Sequence, residues 1–421
     1  MRQIRTAIVV IFITNFFMTL GFGLWEPIFN NFAVEEIGIT AGQMGAIQSI
    51  REIPGLLGFL VGILAFFFSE MRIAGISMIV MGFGVLLTGF TRRFGDLTLV
   101  TLLMSFGFHF FFSSNASALL MLVKTADGPK ALGRMNSLGA VASLISTLAI
   151  LGLLGTLGYR SLFWGLGLSV MLGGLVLLPF QKQPLHIERN VRRVKLRGRY
   201  WLYYALQFLM GSRRHISTTF AIFLLVSHYR VNPQVITTLF LLNNLLATYT
   251  NQAFGSIVAR FGEKIVLILD YVLIVLIFLS YAFVPYIGAL HRPEYQIAAL
   301  NLGSWKLMPA LTLTPALIIL LILFVVDRLS MGFNLAVESY FQKIAVSPDE
   351  ITPNVSLGQA INHIAAVVVP VTGGVLWEII GPQTTFLSGA AIVLLALLLT
   401  LWMRVPYADY RPGPAAQFAE G

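Results

Sequence analysis

The chain has 421 residues, 57% of them hydrophobic and 11% charged, with a formal net charge of +10. Soluble domains average about 25% charged residues, so this composition describes an integral membrane protein and excludes an ordinary soluble domain. There is no cysteine, which removes disulfides, thiolate metal sites and thiol chemistry.

Taken in chain order, apolar windows of about 20 residues predict twelve transmembrane helices. The first six run approximately over 6–30, 41–68, 73–91, 97–123, 134–157 and 161–180. The second six run over 200–227, 233–258, 264–287, 312–342, 353–378 and 383–403. Arg2 and Arg5 ahead of the first window mimic a signal peptide. The run is too long for a signal core, however, and "LWEPIFNNF" after it offers no small-residue cleavage site, so it reads as a permanent span. The expected organisation is an amino-terminal six-helix bundle (1–180), a basic connector (181–199), a carboxy-terminal six-helix bundle (200–403) and a tail (404–421). The one long loop on the far side, 288–311, is apolar and aromatic, which predicts a helix lying at the membrane interface.

The basic residues are placed asymmetrically. Eighteen fall on one side of the predicted spans, seven of them in "QKQPLHIERNVRRVKLRGR", and six fall on the other. That bias puts both termini and the connector in the cytoplasm. It predicts a multi-pass protein of the plasma membrane, the inner membrane in a Gram-negative cell. The positive charge is thus a topology signal with some affinity for anionic headgroups, not a nucleic-acid footprint.

An internal repeat follows from a gapless shift of 219 residues. Asn115 meets Asn334, Lys124 meets Lys343, Pro129 meets Pro348, and "SLG" at Ser137–Gly139 meets "SLG" at Ser356–Gly358. An even number of spans separates equivalent points, so the two halves share one orientation. The loop after the eighth span, "GSIVARFGEK", then resembles the signature loop of the major facilitator superfamily, Gly-x-x-x-Asp-Arg-x-Gly-x-Arg/Lys. Gly255, Arg260, Gly262 and Lys264 match, and Ala259 stands where that family has Asp. The first-half counterpart keeps only Gly62, Glu70 and Arg72. The resemblance implies an all-α fold of two parallel six-helix repeats around a midplane site. It also implies a gate formed by these loops, and a cavity lined by the first, fourth, seventh and tenth spans.

Polar residues within the spans recur at helical spacing. Gln207, Gly211, Arg214 and Thr218 form a stripe in the seventh span, and Asp327, Met331, Asn334 and Glu338 form one in the tenth. Ser105, His109, Ser113 and Ser117 do so in the fourth, and Gln48, Arg51, Gly55, Gly58 and Gly62 in the second. Neighbouring residues on a helix point about 100° apart. Arg214 is therefore assigned to the cavity, and Arg213 to an acid on another helix. Asp327 is preferred over Arg328 for the cavity, and Arg51 over Glu52. A mid-membrane charge costs at least ~2.5–3.5 kcal/mol, so each needs a partner or a function.

The expected substrate-binding set is Arg51, His109, Asn115, Gln207, Arg214, Asn243 and Asn334. Proton coupling or ion pairing is expected of Glu26, Glu52, Arg213, Asp327, Arg328 and Glu338. The gate set is Gly255, Arg260, Gly262, Lys264 and Asp270, the last for its sequence proximity to Arg260. His363 and the Asn243–Asn244 pair read as bonds between helices. No Walker-type loop and no metal-ligand spacing is present, so the expectation is a monomeric, cofactor-free, proton-coupled secondary transporter, not an enzyme. Its partners would be a small polar or anionic solute, protons and the bilayer, with no nucleic acid. The alternatives are proton-antiport export of amphipathic compounds, or a sensor or scaffold of the same shape.

Overall fold

The computed structural model describes residues 2–123, 128–179, 195–303 and 305–404. Lys124, Lys182, Arg189, Arg192, Arg193 and the tail beyond 404 lie outside the described residues. Helix α1 spans Arg2–Phe32 and closes in a π turn, Ala33–Ile37, that Gly38 ends at φ 73°. Helix α2 (Ala41–Leu64) opens on a capping box, in which the Thr40 hydroxyl accepts from the Gln43 amide and the Gln43 side chain accepts in return. Helices α3 (Glu70–Thr88) and α4 (Phe94–Leu122) follow.

The segment Gly128–Leu175 is 48 residues long. At about 1.5 Å per residue it is far too long for one crossing of a ~30 Å hydrocarbon layer. Gly158 breaks it with φ 72° and ψ 171°, a conformation that suits glycine, giving α5 over 128–157 and α6 over 159–175.

In the second half, α7 runs from Trp201 to Ile216, passes through a π turn at Ser217–Ala221 and ends with Ile222–Ser227. Helices α8 (Pro233–Phe261) and α9 (Glu263–Phe283) follow. Helix α10 covers Pro315–Ile344 and carries a 3-10 turn at Met331–Asn334. Helices α11 (Pro348–Ile379) and α12 (Pro382–Leu401) complete the chain.

Among the described residues, nine segments are long and apolar enough to cross a membrane, and Ala131–Leu175 is one of them although it holds two crossings. The helix over 201–227 has the length but is diluted by Arg213, Arg214 and His215, and α8 enters through its shorter apolar segment, Pro233–Ala247. Counting these gives the twelve expected spans of an all-α membrane protein.

The loop between α9 and α10 departs from the interfacial helix expected there. Short 3-10 turns at Val284–Tyr286 and Gly288–His291 lead into antiparallel strands. Strand β1 (Tyr295–Ile297) pairs with β4 (Leu311–Leu313), and β2 (Leu300–Leu302) pairs inside them with β3 (Trp305–Met308). The reason is local. Apolar residues recur every second position at Tyr295 and Ile297 and again at Leu311 and Leu313, a strand period. Pro293 and Pro309 withhold the N–H groups that a helix would need. The backbone of β3 runs beside the Gly128–Leu175 segment, so the hairpin touches the other half of the molecule.

Each half buries its own core. One gathers Trp25, Phe29, Met78, Phe111 and Phe163 from α1–α6, and the other Phe220, Phe278, Tyr281, Phe324 and Phe386 from α7–α12. The halves meet most closely where α2 crosses α11. A Cβ on Gly45 would stand 2.1 Å from the Pro370 carbonyl oxygen, and one on Gly374 would stand 2.8 Å from that of Ala41. Only glycine permits such an approach. The Gly42 N–H donates to Glu378 Oε1 at 2.9 Å, and the Val371 N–H donates to Ser49 Oγ at 2.9 Å. This seam continues to Gly55, whose Cβ would meet His363 at 2.6 Å. Beyond it α2 loosens into a 3-10 turn, Leu57–Phe59, and Gly58 and Gly62 face open space. The halves are thus pinned together at the end where α2 starts and α11 finishes. They part toward the end where α1 starts.

Candidate substrate site between the two halves

The four mid-span arginines have distinct surroundings. Arg51 on α2 pairs with Glu52 at 2.8 Å and donates to Gln48 Oε1 at 2.8 Å. Arg328 on α10 reaches Glu26 on α1 at 3.6 Å, joining the halves, and lies over the Phe240 ring at 4.1 Å. Arg213 on α7 is fully buried against Asp270 on α9 at 3.2 Å and donates to Ser330 Oγ at 3.2 Å. Arg214 is only partly buried, and its guanidinium has no hydrogen-bond or ion-pair partner among the described residues. Glu52, Arg51, Glu26 and Arg328 are its charged neighbours, so it belongs to the cluster shared by the halves.

Within that cluster, Glu52 accepts from His363 on α11 at 3.1 Å, so α2 and α11 are bound by charge as well as by glycine contacts. The His109 ring on α4 stands edge-on to His363 with centroids 5.4 Å apart. Gly55 leaves the room for both: its Cβ would come within 2.6 Å of His363 and 3.0 Å of His109.

Several expected positions fall elsewhere. Asp327 does not face the cavity. It is buried, accepts from Ser217 Oγ, and lies close to the Arg213–Asp270 pair through Ser330, which donates to its backbone carbonyl at 2.7 Å. The stripe from Asp327 to Glu338 does share a face, but that face meets α7: Gln207 Nε2 donates to Glu338 at 2.6 Å and Tyr203 donates at 3.2 Å. Arg328, a residue further round the helix, is the one aimed at the other half. Gln207 is therefore occupied within the second half. Asn115 is buried against α5, its amide 3.4 Å from the Met135 sulfur, and Asn243 donates to the Leu239 carbonyl of its own helix. Asn334 is partly buried in the 3-10 turn of α10.

The expected gate is also rearranged. Asp270 sits with Arg213 deep in the second half instead of joining Arg260 and Lys264. Lys264 Nζ donates to the Leu401 carbonyl at 2.6 Å, and Arg260 covers the Phe261 ring at 5.4 Å. Gly262, at φ 80°, turns the chain from α8 into α9, and Gly255 faces open space. The acid of this loop is Glu263, paired with Lys343 at 2.6 Å and with Ser339 at 2.7 Å. Ala259 thus leaves no gap in charge, because the neighbouring Glu263 ties the loop to α10.

Composition and spacing did not assign roles to Glu378, Ser49, Gly45 or Ser217. The available signal for the first three was the small-residue series Gly42, Gly45, Ser49 on α2 facing Gly374 on α11. Among the described residues, no group of three or more His, Asp or Glu side chains could hold a metal ion.

A family model described as Major Facilitator Superfamily matches residues 11–313. The fold is similar to a crystal structure of a mutant of the nucleoside transporter NupG, with TM-score 0.73 and 14% identity over 94% of this chain and 99% of that one. A second NupG structure gives 0.70 and 15% identity over 94% and 98%. A bacterial homologue of the human lysosomal transporter Spinster, inward-facing and unoccupied, gives 0.68 and 11% identity over 96% of each chain. A search of curated proteins gave no match.

Proposed function

Because the chain belongs to the Major Facilitator Superfamily, we propose that it carries a small anionic solute across the plasma membrane by alternating access, coupled to protons. The observation that supports this is the contrast among the arginines. Arg51, Arg213 and Arg328 each have a carboxylate, whereas Arg214 has none among the described residues. A partly desolvated guanidinium without a partner is a costly group to maintain. Its planar fork suits a carboxylate or phosphate, which would supply the missing charge.

Binding there would also act on the surrounding pairs. Glu26–Arg328 and Glu52–His363 both connect the halves and both lie in the cluster around Arg214. A solute anion competing for Arg328 or displacing Glu52 alters the same contacts that hold the halves together. For protons, the second half buries two carboxylates, Asp270 and Asp327, beside one guanidinium, Arg213. One shared proton would neutralise that set, and exchange of it with the wet side supplies the coupling. The present conformation, pinned where α2 starts and open where α1 starts, then corresponds to the state open to the cytoplasm.

The test is flux in proteoliposomes loaded with a pH-sensitive dye. External monocarboxylates and phosphate monoesters are supplied singly, with uridine as a neutral comparator. At least one anion should drive proton movement, Arg214→Ala should lose it by about a hundredfold, and Arg214→Lys should restore part. Asp327→Asn should retain solute exchange and lose the proton signal. Uptake of neutral compounds alone, unaffected by Arg214→Ala, would overturn the reading.

A further inference from the structure

Within the first half, a cavity opens where α1 and α3 end and α6 begins. Its volume is about 610 Å³, and it is lined by Glu36, Gly89, Phe90, Arg92, Arg160 and Trp164. Two guanidiniums therefore meet one carboxylate. Arg160 donates to the Gly89 carbonyl at 3.0 Å and to the Thr91 carbonyl at 3.1 Å, and it pairs with Glu36 at 3.4 Å. That pair accounts for the carboxylate. Arg92 is exposed and has no hydrogen-bond or ion-pair partner among the described residues. The Trp164 indole N–H likewise has no acceptor among them. The lining thus keeps one positive charge and one neutral donor in reserve.

The depth of the cavity follows from α3. From Glu70 to Thr88 that helix holds 19 residues, about 28 Å at 1.5 Å each, which matches a hydrocarbon layer of ~30 Å. Arg92, just past that end, stands at headgroup level, where side chains such as Trp164 also concentrate. The same two helices carry an apolar track away from the cavity. Helices α3 and α6 run antiparallel and touch through glycines. A Cβ on Gly167 would stand 2.5 Å from the Gly82 carbonyl oxygen, and one on Gly174 would stand 2.8 Å from that of Gly75. Neighbouring residues point about 100° apart, and in an antiparallel pair one step along each chain turns to the same side. The residues one step past these glycines are Ile76, Phe83, Leu168 and Leu175, all exposed. Gly89 repeats the rule, since Phe90 after it is exposed and stacks on Trp164 with centroids 5.0 Å apart. A strip of exposed apolar side chains thus leaves the cavity along the α3–α6 seam.

The geometry points to an anionic phospholipid as the occupant. Its phosphodiester sits on Arg92, its ester region takes the Trp164 N–H, and an acyl chain lies along Phe83 and Leu168. An arginine fork suits phosphate oxygens, and basic pockets between transmembrane helices bind anionic headgroups. A soluble phosphate would use the guanidinium and leave the apolar strip bare. The headgroup carries no ammonium, because the carboxylate of the lining already belongs to Arg160 and an added cation would meet Arg92. None of the residues around Arg214 lines this cavity, so the lipid site stands or falls independently of what the protein transports.

The test is quenching of Trp164 by chain-brominated lipids in the full-length protein, reconstituted into phosphatidylcholine nanodiscs. Trp164 emission is isolated in each background as the difference made by Trp164→Phe, which keeps a ring against Phe90. Brominated phosphatidylglycerol should quench it with an apparent affinity about fivefold above brominated phosphatidylethanolamine or phosphatidylcholine, the preference one basic residue commands at an anionic headgroup. Arg92→Ala should bring phosphatidylglycerol down to the phosphatidylcholine level. Arg93→Ala removes the same charge from the next exposed position, outside the lining, and should leave the preference in place. Excess sn-glycerol 3-phosphate should not relieve the quenching. Equal quenching by the three lipids, or equal losses in the two arginine variants, would overturn the site. A preference for phosphatidylethanolamine would overturn the anionic assignment. If glycerol phosphate relieves the quenching, the cavity takes a soluble phosphate and the lipid assignment falls.

Discussion

At the scale of single residues, the site is organised by what glycine leaves empty. Gly55 stands directly under the two imidazoles, His363 and His109, that face each other from opposite halves. A methyl there would displace His363 from Glu52, loosening a bond between the halves. Overpacking of this kind costs about 1–3 kcal/mol. Gly55→Ala should therefore lower the unfolding midpoint of the detergent-purified protein and impair transport. Gly58→Ala, one turn further along where the added methyl meets no other described side chain or helix within 4 Å, is the internal control and should do neither. Equal effects of the two substitutions would mean that helix propensity, not the histidine contact, decides the outcome.

The residue scale is also where the sequence was most and least informative. Arg213 and Arg214 differ by one position, and the helical angle between them separates a buried pair from an unpartnered guanidinium. Spacing placed that difference correctly in space but could not name Asp270 as the partner, because nothing in one helix says which helix lies behind it. The same arithmetic misled at Asp327 and Arg328. A polar stripe reports a common face, and it does not report whether that face meets water or another helix.

Among elements, irregular turns interrupt the two helices that carry the polar stripes. The π turn at Ser217–Ala221 follows directly after the charged run of α7, and the 3-10 turn at Met331–Asn334 interrupts α10 between Asp327 and Glu338. Each changes the rotation per residue, yet Asp327 and Glu338, on either side of the 3-10 turn, both still meet α7. The spans were legible because helix length survives such turns, even over 201–227, where charged residues dilute the hydropathy. The hairpin at 295–313 was not, since an apolar, aromatic loop suits a strand as readily as an interfacial helix until its period is counted.

One element junction makes a pH prediction. At the start of α7, Arg197 donates to Glu350 on α11 at 2.6 and 2.8 Å, and Tyr200 donates at 2.7 Å. These bonds hold the Glu350 carboxyl down at about 2, from an ordinary 4.5. A depressed acid contributes stability above its ordinary value and loses it as pH falls toward the folded one. Amide protection over 198–204 and 350–354, read by hydrogen exchange, should therefore fall between pH 4.5 and 2 in the wild type. In Glu350→Gln it should already be low at pH 6. Protection that is unchanged across that window in the wild type would show that the junction does not depend on this charge.

For the whole molecule, the closest contact between the halves lies along the α2–α11 seam. Glu378 from the second half caps the first turn of α2 in the first half through Gly42. A carboxylate at a helix N-terminus contributes about 0.3–1 kcal/mol, up to ~2 when partly buried. The chain has no cysteine, so Ser49→Cys provides a single thiol buried in the seam. Glu378→Gln in that background should raise its labelling rate by a membrane-impermeant maleimide about two- to fivefold, in step with that energy. An unchanged rate would assign the seam to the glycine contacts alone.

The hairpin at 295–313 carries a mechanical consequence of its own. It is anchored in the second half by the ends of α9 and α10, yet β3 runs beside helices of the first half. Any swing that spreads the two halves on that side must first part this short ribbon from the first half. It therefore behaves as a latch: the packing of β3, and not the length of the ribbon, is what such a swing has to undo.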